Sequence, residues 1–356
     1  MNRILFMALM CVLPLSCLCS LPGDSLRQYF DARYADALGG SAPGGAVIIT
    51  QGDSVLFEYY AGVADMETKK PIDCKTRFCI ASVSKQFTVA GIMQLAERGL
   101  VDMDAPLTRW FDFKAPFWSK VTPRHLASQS SGIPDTRDRS DRNKMIYADD
   151  VYSVGYFPTV QATQFEPGTA YDYVNPTFIL LAQIIEKTTG QSFVDYQREH
   201  VFGPAQMDST YYFDPAETPA DQSHAYEPTE DGWREYDYGE ETFFATRPDG
   251  GIYTTVRDMA RWENALAKRS ILSPGTLAEV YSPRVDVAGS PWCDYQRRPH
   301  THYAMGWFVD DSPGRPLKVY HTGDNGGRQA LLRAKLYTPL CLARQSILNS
   351  NGRRSV

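Results

Sequence analysis

This 356-residue sequence has no excess of basic residues, and beyond its first twenty residues it has no long apolar segment. After residue 20, no stretch is long and apolar enough to span a bilayer. Lysine and arginine total 36 and aspartate and glutamate total 42, so the formal charge is -6. Because a face that binds nucleic acid is normally basic, this balance disfavours DNA or RNA as the main partner. No internal repeat or low-complexity tract is present.

Cysteine and histidine are too sparse, and wrongly spaced, to predict a metal site. Beyond residue 20 the cysteines are Cys74, Cys79, Cys293 and Cys341. They allow three disulfide pairings, among which the sequence cannot choose, and their spacing fits no zinc pattern. His300 and His302 lack a third placed ligand, so we interpret them as part of a surface loop. We expect neither a metal nor a cofactor.

The first twenty residues have the features of a signal peptide. Arg3 supplies a positive start, residues 4–15 are apolar, and residues 16–20 include small residues suited to cleavage. Cys17 offers lipidation as an alternative, although Pro14 stands where a lipoprotein signal prefers leucine. We therefore predict a periplasmic or secreted protein, attached to a membrane only if Cys17 carries a lipid.

The patterning beyond the leader predicts one α+β domain over residues 21–356. Alternating or apolar runs predict strands at 46–50, 55–59, 303–309 and 317–320. Helical spacing predicts helices over 25–38, after residue 82, over 177–189 and from residue 255. These segments predict an antiparallel sheet flanked by helices, in a lobe of residues 25–109 and 250–356. Residues 110–249 are predicted to form an inserted, mostly helical lobe, with a hairpin at an Asp-Gly turn near residue 231.

Residues 78–88 contain the clearest chemical signal. Ser82 and Lys85 are three residues apart, and this spacing places them on one face of a helix. A serine hydroxyl needs a neighbouring base, and a buried lysine can be that base because desolvation lowers a lysine pKa. The backbone N–H of Ser82 at a helix start would also face an oxyanion. The pair alone is weak because serine and lysine are common, but it points to acyl transfer.

Two later segments accompany this pair in a fixed order. Tyr173 and Asn175 form a Tyr-x-Asn segment, and His321, Thr322 and Gly323 follow a predicted strand. Supporting stretches lie at 81–88, 130–132, 167–168 and 249–255. Over about residues 25 to 327, the sequence resembles the serine β-lactamase-like and penicillin-binding family. The similarity is greatest to its branch of class C β-lactamases, D-Ala-D-Ala carboxypeptidases, D-aminopeptidases and esterases.

The resemblance implies a role for each matched residue. Ser82 would be the nucleophile, Lys85 its activator, and Tyr173 a proton shuttle, while the choice of first base between Lys85 and Tyr173 stays open. Asn175 would bind the substrate amide and Lys85. The segment of His321, Thr322 and Gly323 would form the strand edge along which substrate lies, and the N–H groups of Ser82 and Asp324 would form the oxyanion hole.

The resemblance also implies an activity. We expect an exported serine hydrolase that cleaves D-amino-acid peptide, ester or β-lactam bonds in a small or peptidoglycan-like substrate. His321 is less cationic than the lysine of some relatives, which favours a peptidase or esterase over an efficient β-lactamase. The alternative is a catalytically inactive, penicillin-binding-like protein that binds cell-wall peptides.

Two features depart from the family pattern. Arg328 stands where relatives usually carry an aromatic residue, and we interpret it as a solvated charge at the rim rather than a carboxylate contact. Relatives continue as two apolar strands and then a long helix that covers the sheet, whereas here residues 331–335 and 337–345 precede the last residue, Val356, so a final helix has no room or the reading frame is truncated or altered. We therefore expect one sheet face to be partly bare and stability to be reduced. We expect a monomer.

Overall fold

The computed structural model describes residues 23–35, 37, 40, 42–135, 149–214, 216, 219–235, 246–290, 298–325, 328–337 and 341–349. The predictions for residues 1–20, for Cys293 and for a missing terminal helix fall on residues outside these ranges. No helix within them is long and apolar enough to cross a membrane. Cys79 is buried and, like Cys74, is a free thiol.

Strands from both ends of the described chain form its main sheet. The strands are β1 (Gly45–Gln51), β2 (Ser54–Ala61), β3 (Val63–Asp65), β4 (Lys70–Pro71), β5 (Phe78–Cys79), β6 (Tyr211–Tyr212), β7 (Tyr226–Thr229), β8 (Gly232–Glu235), β9 (Ile252–Thr254), β10 (Val285–Asp286), β11 (Thr301–Tyr303), β12 (Phe308–Asp310), β13 (Leu317–Asn325), β14 (Arg328–Tyr337) and β15 (Cys341–Asn349). Among the described residues, eight of them form one antiparallel sheet in the order β10-β11-β12-β13-β14-β15-β1-β2. The early strand β1 therefore lies directly beside the late strand β15.

Helices flank this sheet and fill the segment between its two halves. They are α1 (Gly23–Arg33), α2 (Lys85–Glu97), α3 (Pro123–Ala127), α4 (Asp150–Tyr156), α5 (Thr177–Thr189), α6 (Phe193–Gln197), α7 (Arg247–Gly250), α8 (Val256–Ala267) and α9 (Pro274–Val280). Short 3₁₀ turns, including Ala81–Ser84, connect several of them. The architecture confirms the predicted α+β class with an antiparallel sheet.

The alternation of side chains along β1 places apolar residues on both faces of the sheet. Successive residues of a strand point to opposite faces. Val47 and Ile49 pack with the buried side chains of α1, whereas Ala46 and Ile48 join the larger core that contains α2 and α8. Helix α1 thus covers one face of the sheet over β1 and β2.

Helix α2 follows the Ala81–Ser84 turn, which contains Ser82, and is buried along most of its length. Its Phe87 ring lies 4.3 Å from that of Trp262 on α8, and both side chains are at most 1% exposed. Trp262 also donates a hydrogen bond to the Gln86 side chain at 3.1 Å. Truncating a buried aromatic of this kind to alanine typically costs about 3–5 kcal/mol. Packing therefore fixes the position of α2 and of the residues at its start.

Several predicted elements differ in detail from the observed ones. The helix predicted over 177–189 is observed as α5, and the Asp-Gly hairpin is observed as β7 and β8. The first helix ends at Arg33 rather than at residue 38. The single strand predicted over 303–309 is wrong, because Gly306 adopts a φ of 72° and the chain turns between β11 and β12. His302 lies in β11, so the surface loop predicted around it is wrong as well.

Candidate active site

The turn of residues Ala81–Ser84, here called the nucleophile turn after the role predicted for Ser82, follows β5 and leads directly into α2. Ser82 is the second residue of the Ala81–Ser84 turn, and Ala81 before it has a φ of 45°. A left-handed φ is costly for a residue with a side chain and persists only where the surroundings enforce it. Gly323 contributes to that enforcement, since a Cβ on it would lie 2.2 Å from the Ile80 carbonyl oxygen. Close approach of β13 therefore holds the nucleophile turn.

Lys85 is completely buried and points at three oxygen atoms. Its Nζ lies 3.2 Å from Ser82 Oγ, 2.7 Å from Asn175 Oδ1 and 2.8 Å from the Asp249 carbonyl oxygen. The same Nζ lies 4.9 Å from the centre of the Tyr173 ring. A buried ammonium needs such acceptors and benefits from an aromatic face. The structure thus brings Ser82, Lys85, Tyr173 and Asn175 together.

The arrangement around Lys85 is suited to taking a proton from Ser82. The carbonyl oxygens of Asn175 and Asp249 can only accept hydrogen bonds. A neutral Lys85 amine would donate its two N–H groups to these oxygens, leaving its lone pair for the Ser82 hydroxyl. A nucleophile and a base within hydrogen-bond reach, with the base oriented by further groups, is the geometry that covalent catalysis requires.

The Tyr-x-Asn segment is held by a residue that sequence reasoning did not single out. Gln129 accepts a hydrogen bond from the Val174 N–H at its side-chain oxygen, 2.8 Å away, and from the Asp172 N–H at its carbonyl oxygen, 3.0 Å away. It is 1% exposed and adopts a φ of 56°. No sequence signal could have indicated this role, because no sequence motif marks a loop glutamine with a left-handed backbone conformation.

Residues 246–252, here called the Asp249 turn, supply the remaining acceptor for Lys85. Three side chains at the start of α2 bind the Asp249 turn. Besides Lys85, Thr88 donates to the Pro248 carbonyl at 2.6 Å, and Ser84 accepts from the Ile252 N–H at 3.2 Å. The resemblance included this segment but assigned it no role. The structure shows that a backbone carbonyl of this segment contacts Lys85.

Strand β13 extends past the end of β12 beside the nucleophile turn. On one side it pairs with β14 over its full length, but on the other it pairs with β12 only as far as Tyr320. The ladder with β12 therefore ends before Thr322, Gly323 and Asp324. An open strand edge can add an extended peptide through main-chain hydrogen bonds. This is where the sequence places the substrate-binding edge.

His321 lies beneath this edge rather than on it. The imidazole is fully buried among the rings of Tyr173, Tyr303 and Phe308. Its Nδ1 lies 2.7 Å from the Thr322 carbonyl oxygen, which can only accept, so Nδ1 carries the proton and Nε2 accepts from the Tyr303 hydroxyl at 3.1 Å. Burial and the nearby Lys85 charge lower the pKa of His321 to about 3. His321 is therefore neutral, and its imidazole is not part of an exposed edge.

Arg328 is also buried, which corrects its interpretation as a solvated charge at the rim. Only 2% of it is exposed, and its guanidinium lies 5.7 Å from the centre of the Tyr253 ring. Tyr253 belongs to a small cluster with Cys79 and Ala81, next to the nucleophile turn. Arg328 is thus packed into the structure beside the site. Its neighbours come from β5 and β9, which are distant in sequence.

Comparison with known proteins agrees with this geometry. The family described as Beta-lactamase matches residues 26–344. Penicillin-binding protein 4* of Bacillus subtilis is 28% identical over 302 residues, which are 81% of this chain and 64% of that protein. A D-aminopeptidase of Brucella ovis is 27% identical over 295 residues, which are 80% of this chain and 52% of that protein. The chain therefore spans between about half and two-thirds of the length of these relatives.

A solved structure shows the same fold over nearly the whole chain. The crystal structure of a penicillin-binding protein from Bacillus halodurans superposes with a TM-score of 0.75 at 27% identity. The match covers 88% of this chain and 92% of that one. Within the described ranges, no three His, Cys, Asp or Glu side chains converge on a metal site. The family match, which extends over far more than half of the sequence, shows that this chain belongs to the Beta-lactamase family.

Proposed function

We propose that this protein is an exported serine hydrolase that cleaves amide or ester bonds through an acyl-enzyme on Ser82. The observation that carries the proposal is the contact of 3.2 Å between Lys85 Nζ and Ser82 Oγ, with Asn175 and Asp249 orienting the lysine. The D-aminopeptidase and penicillin-binding relatives support an amide substrate. Export rests on the signal-like residues 1–20.

The reaction proceeds in two halves. Ser82 Oγ bonds to the substrate carbonyl carbon while its proton passes to Lys85, which the contact geometry favours as the first base. The bond from that carbon to nitrogen or oxygen then breaks, and the leaving group takes up the proton, with Tyr173 as the shuttle. In the second half, water attacks the ester carbon, the bond to Ser82 Oγ breaks, and the serine regains a proton.

The oxyanion of each half would be stabilised by the N–H groups of Ser82 and Asp324. Each such donor typically contributes about 3 kcal/mol to lowering the barrier. Thr322 and Gly323 would bind the extended part of the substrate along the open edge of β13. Because His321 is neutral and buried, this segment offers no cation to a substrate carboxylate. This favours a D-amino-acid peptidase, amidase or esterase over an efficient β-lactamase.

A labelled fluorophosphonate and a labelled penicillin test the acyl-enzyme directly. Intact mass should show one adduct on the wild type and on the Ser282→Ala control, and none on Ser82→Ala. A panel of p-nitrophenyl esters, D-amino-acid amides and nitrocefin then ranks the substrates, with nitrocefin expected last. A wild type that forms no adduct with either probe would refute the hydrolase and leave the binding-protein alternative.

A further inference from the structure

The Asp249 turn is held from two sides, and the proposed mechanism uses only one of them. On the first side, Ser84, Lys85 and Thr88 of the nucleophile turn and α2 bind its backbone. On the second side, Asp150 at the start of α4 accepts a hydrogen bond from the Arg247 N–H at 3.0 Å. Asp150 is partly buried and does not belong to any of the three family motifs. Its role in the site is not explained by the reaction above.

The surroundings of Asp150 make its charge sensitive to pH. Burial is the largest cause, and together with the nearby carboxylates of Asp249 and Asp149 it raises the pKa of Asp150 to about 7. The Arg247 N–H and the Arg247 charge act in the opposite direction. Tyr212 on β6 also interacts with Asp150 and stays protonated, because burial raises the pKa of its phenol. Asp150 can therefore gain and lose its charge near neutral pH.

The residue whose backbone Asp150 binds and the residue whose backbone Lys85 binds lie only two positions apart in the sequence. Arg247 begins α7, and Asp249 presents its carbonyl oxygen to Lys85 Nζ 2.8 Å away. An ionised carboxylate makes a hydrogen bond roughly twice as strong as a neutral acceptor does. Ionised Asp150 should hold Arg247, and with it the Asp249 carbonyl, more firmly than protonated Asp150 does.

We propose that Asp150 is a positioning residue that orients Lys85 through the Asp249 turn and makes acylation of Ser82 faster when Asp150 is ionised. This inference depends on the proposed function, since it concerns the nucleophilicity of Ser82. Asp150 does not touch the substrate or the reacting atoms. It acts through the Arg247 N–H and the Asp249 carbonyl.

Two variants distinguish the effect of the hydrogen-bond acceptor at Asp150 from the effect of its negative charge. Asp150→Asn keeps a side-chain oxygen for the Arg247 N–H but cannot ionise, whereas Asp150→Ala removes the acceptor. The control is Asp149→Ala, which removes the cap of the same helix, where Asp149 Oδ1 accepts from the Tyr152 N–H at 2.8 Å. The rate of fluorophosphonate labelling should be measured on the full chain from about pH 5.5 to about pH 8.5, with melting temperatures alongside.

At high pH, Asp150→Ala should label about tenfold more slowly than the wild type, because Lys85 is then less well oriented toward Ser82. Asp150→Asn should match the wild type at low pH but fall about threefold behind it above neutral pH, because it lacks the charged acceptor. Asp149→Ala should melt earlier and keep the shape of the wild-type pH profile, shifted slightly to lower pH because one of the carboxylates that raise the Asp150 pKa is removed. Superposable profiles for Asp150→Asn and the wild type would overturn the inference while leaving the hydrolase intact. A wild type that is not labelled would overturn both.

Discussion

Lys85 and His321 are both fully buried basic side chains in one site, yet their surroundings differ in how well they compensate a positive charge. Lys85 faces three oxygen acceptors and two aromatic rings, so a positive charge there is compensated. His321 faces aromatic rings, one carbonyl and one hydroxyl, and the Lys85 charge opposes a second cation. The partner set, rather than burial itself, thus decides which of the two buried side chains can accommodate a positive charge. Four experiments would break or sharpen this contrast.

Replacing Lys85 should have the largest effect. Lys85→Met keeps the volume but removes both the base and the donor to Asn175 and Asp249. Labelling of Ser82 by a fluorophosphonate should slow by about 10³-fold, within the range of general-base effects. The melting temperature should change much less, because the unpaired oxygens are offset by the loss of a buried charge. Lys268→Met, at an exposed ion pair with Asp53, is the matched control. Near-normal labelling of Lys85→Met would show that another group is the base.

Gly323→Ala should have the next largest effect. Its Cβ would lie 2.2 Å from the Ile80 carbonyl oxygen and 3.1 Å from Ala81 Cβ, so β13 or the nucleophile turn must move. Misplacement of catalytic groups by about 1 Å can cost about 10²-fold in rate. Labelling rate and melting temperature should both fall. Gly275→Ala, on α9 with nothing within 4 Å of the added Cβ, should leave both unchanged. Wild-type labelling by Gly323→Ala would mean that the two segments are not packed as described.

Because His321 stays neutral in the folded protein, we expect the free energy of unfolding to depend on pH. Below about pH 6.5 the unfolded chain protonates His321, whereas the folded chain does so only near pH 3. The free energy of unfolding should therefore fall as pH falls through this window. Between about pH 7.5 and about pH 5 the loss assigned to His321 is about 2 kcal/mol.

Denaturant titrations of the wild type and His321→Gln at both pH values isolate this contribution, because the other titrating groups are common to the two proteins. The wild type should lose about 2 kcal/mol more than the variant between the two conditions. Equal losses in the two proteins would show that His321 is not held neutral in the folded state.

Tyr303→Phe should have the smallest effect of the four. It removes the hydroxyl that donates to His321 Nε2 and leaves that buried nitrogen without this donor. Such a loss typically costs about 1–3 kcal/mol of stability. Activity should change little, since Tyr303 contacts neither Ser82 nor Lys85 in the hydrogen bonds described. Tyr281→Phe, which removes the hydroxyl of another buried tyrosine at the end of α9, is the matched comparison. A large fall in labelling without a loss of stability would contradict this role.

Local patterns predicted some parts of the molecule well. The apolar spacing of residues 177–189 identified α5 with its bounds, because helical periodicity is a property of the segment itself. The order of the three motifs identified the family and named the residues that the structure brings to Lys85. Ser82 and Lys85 lie on one turn, so their contact follows from spacing alone.

Other parts depend on partners that are distant in sequence. Gly306 turns the chain within a run that otherwise reads as one strand, where its backbone packs against α2. Arg328 was interpreted as a solvated charge at the rim, but Tyr253 packs against it from β9. The burial of His321 likewise depends on contacts with Tyr303 and Phe308. Such contacts form only when the sheet brings distant segments together, so the residue pattern within one segment does not predict them.

The pairing of β1 with β15 has a consequence for how the protein reaches its working form. A growing chain carries α2 and its serine long before the strands that complete the sheet exist. Until β13 and β15 have been synthesised, the nucleophile turn lacks the strand that restrains it and β1 lacks a neighbour on one side. Contacts between such distant segments form slowly. We therefore expect nascent chains to be unreactive toward serine probes and to gain reactivity only as the last strands join the sheet.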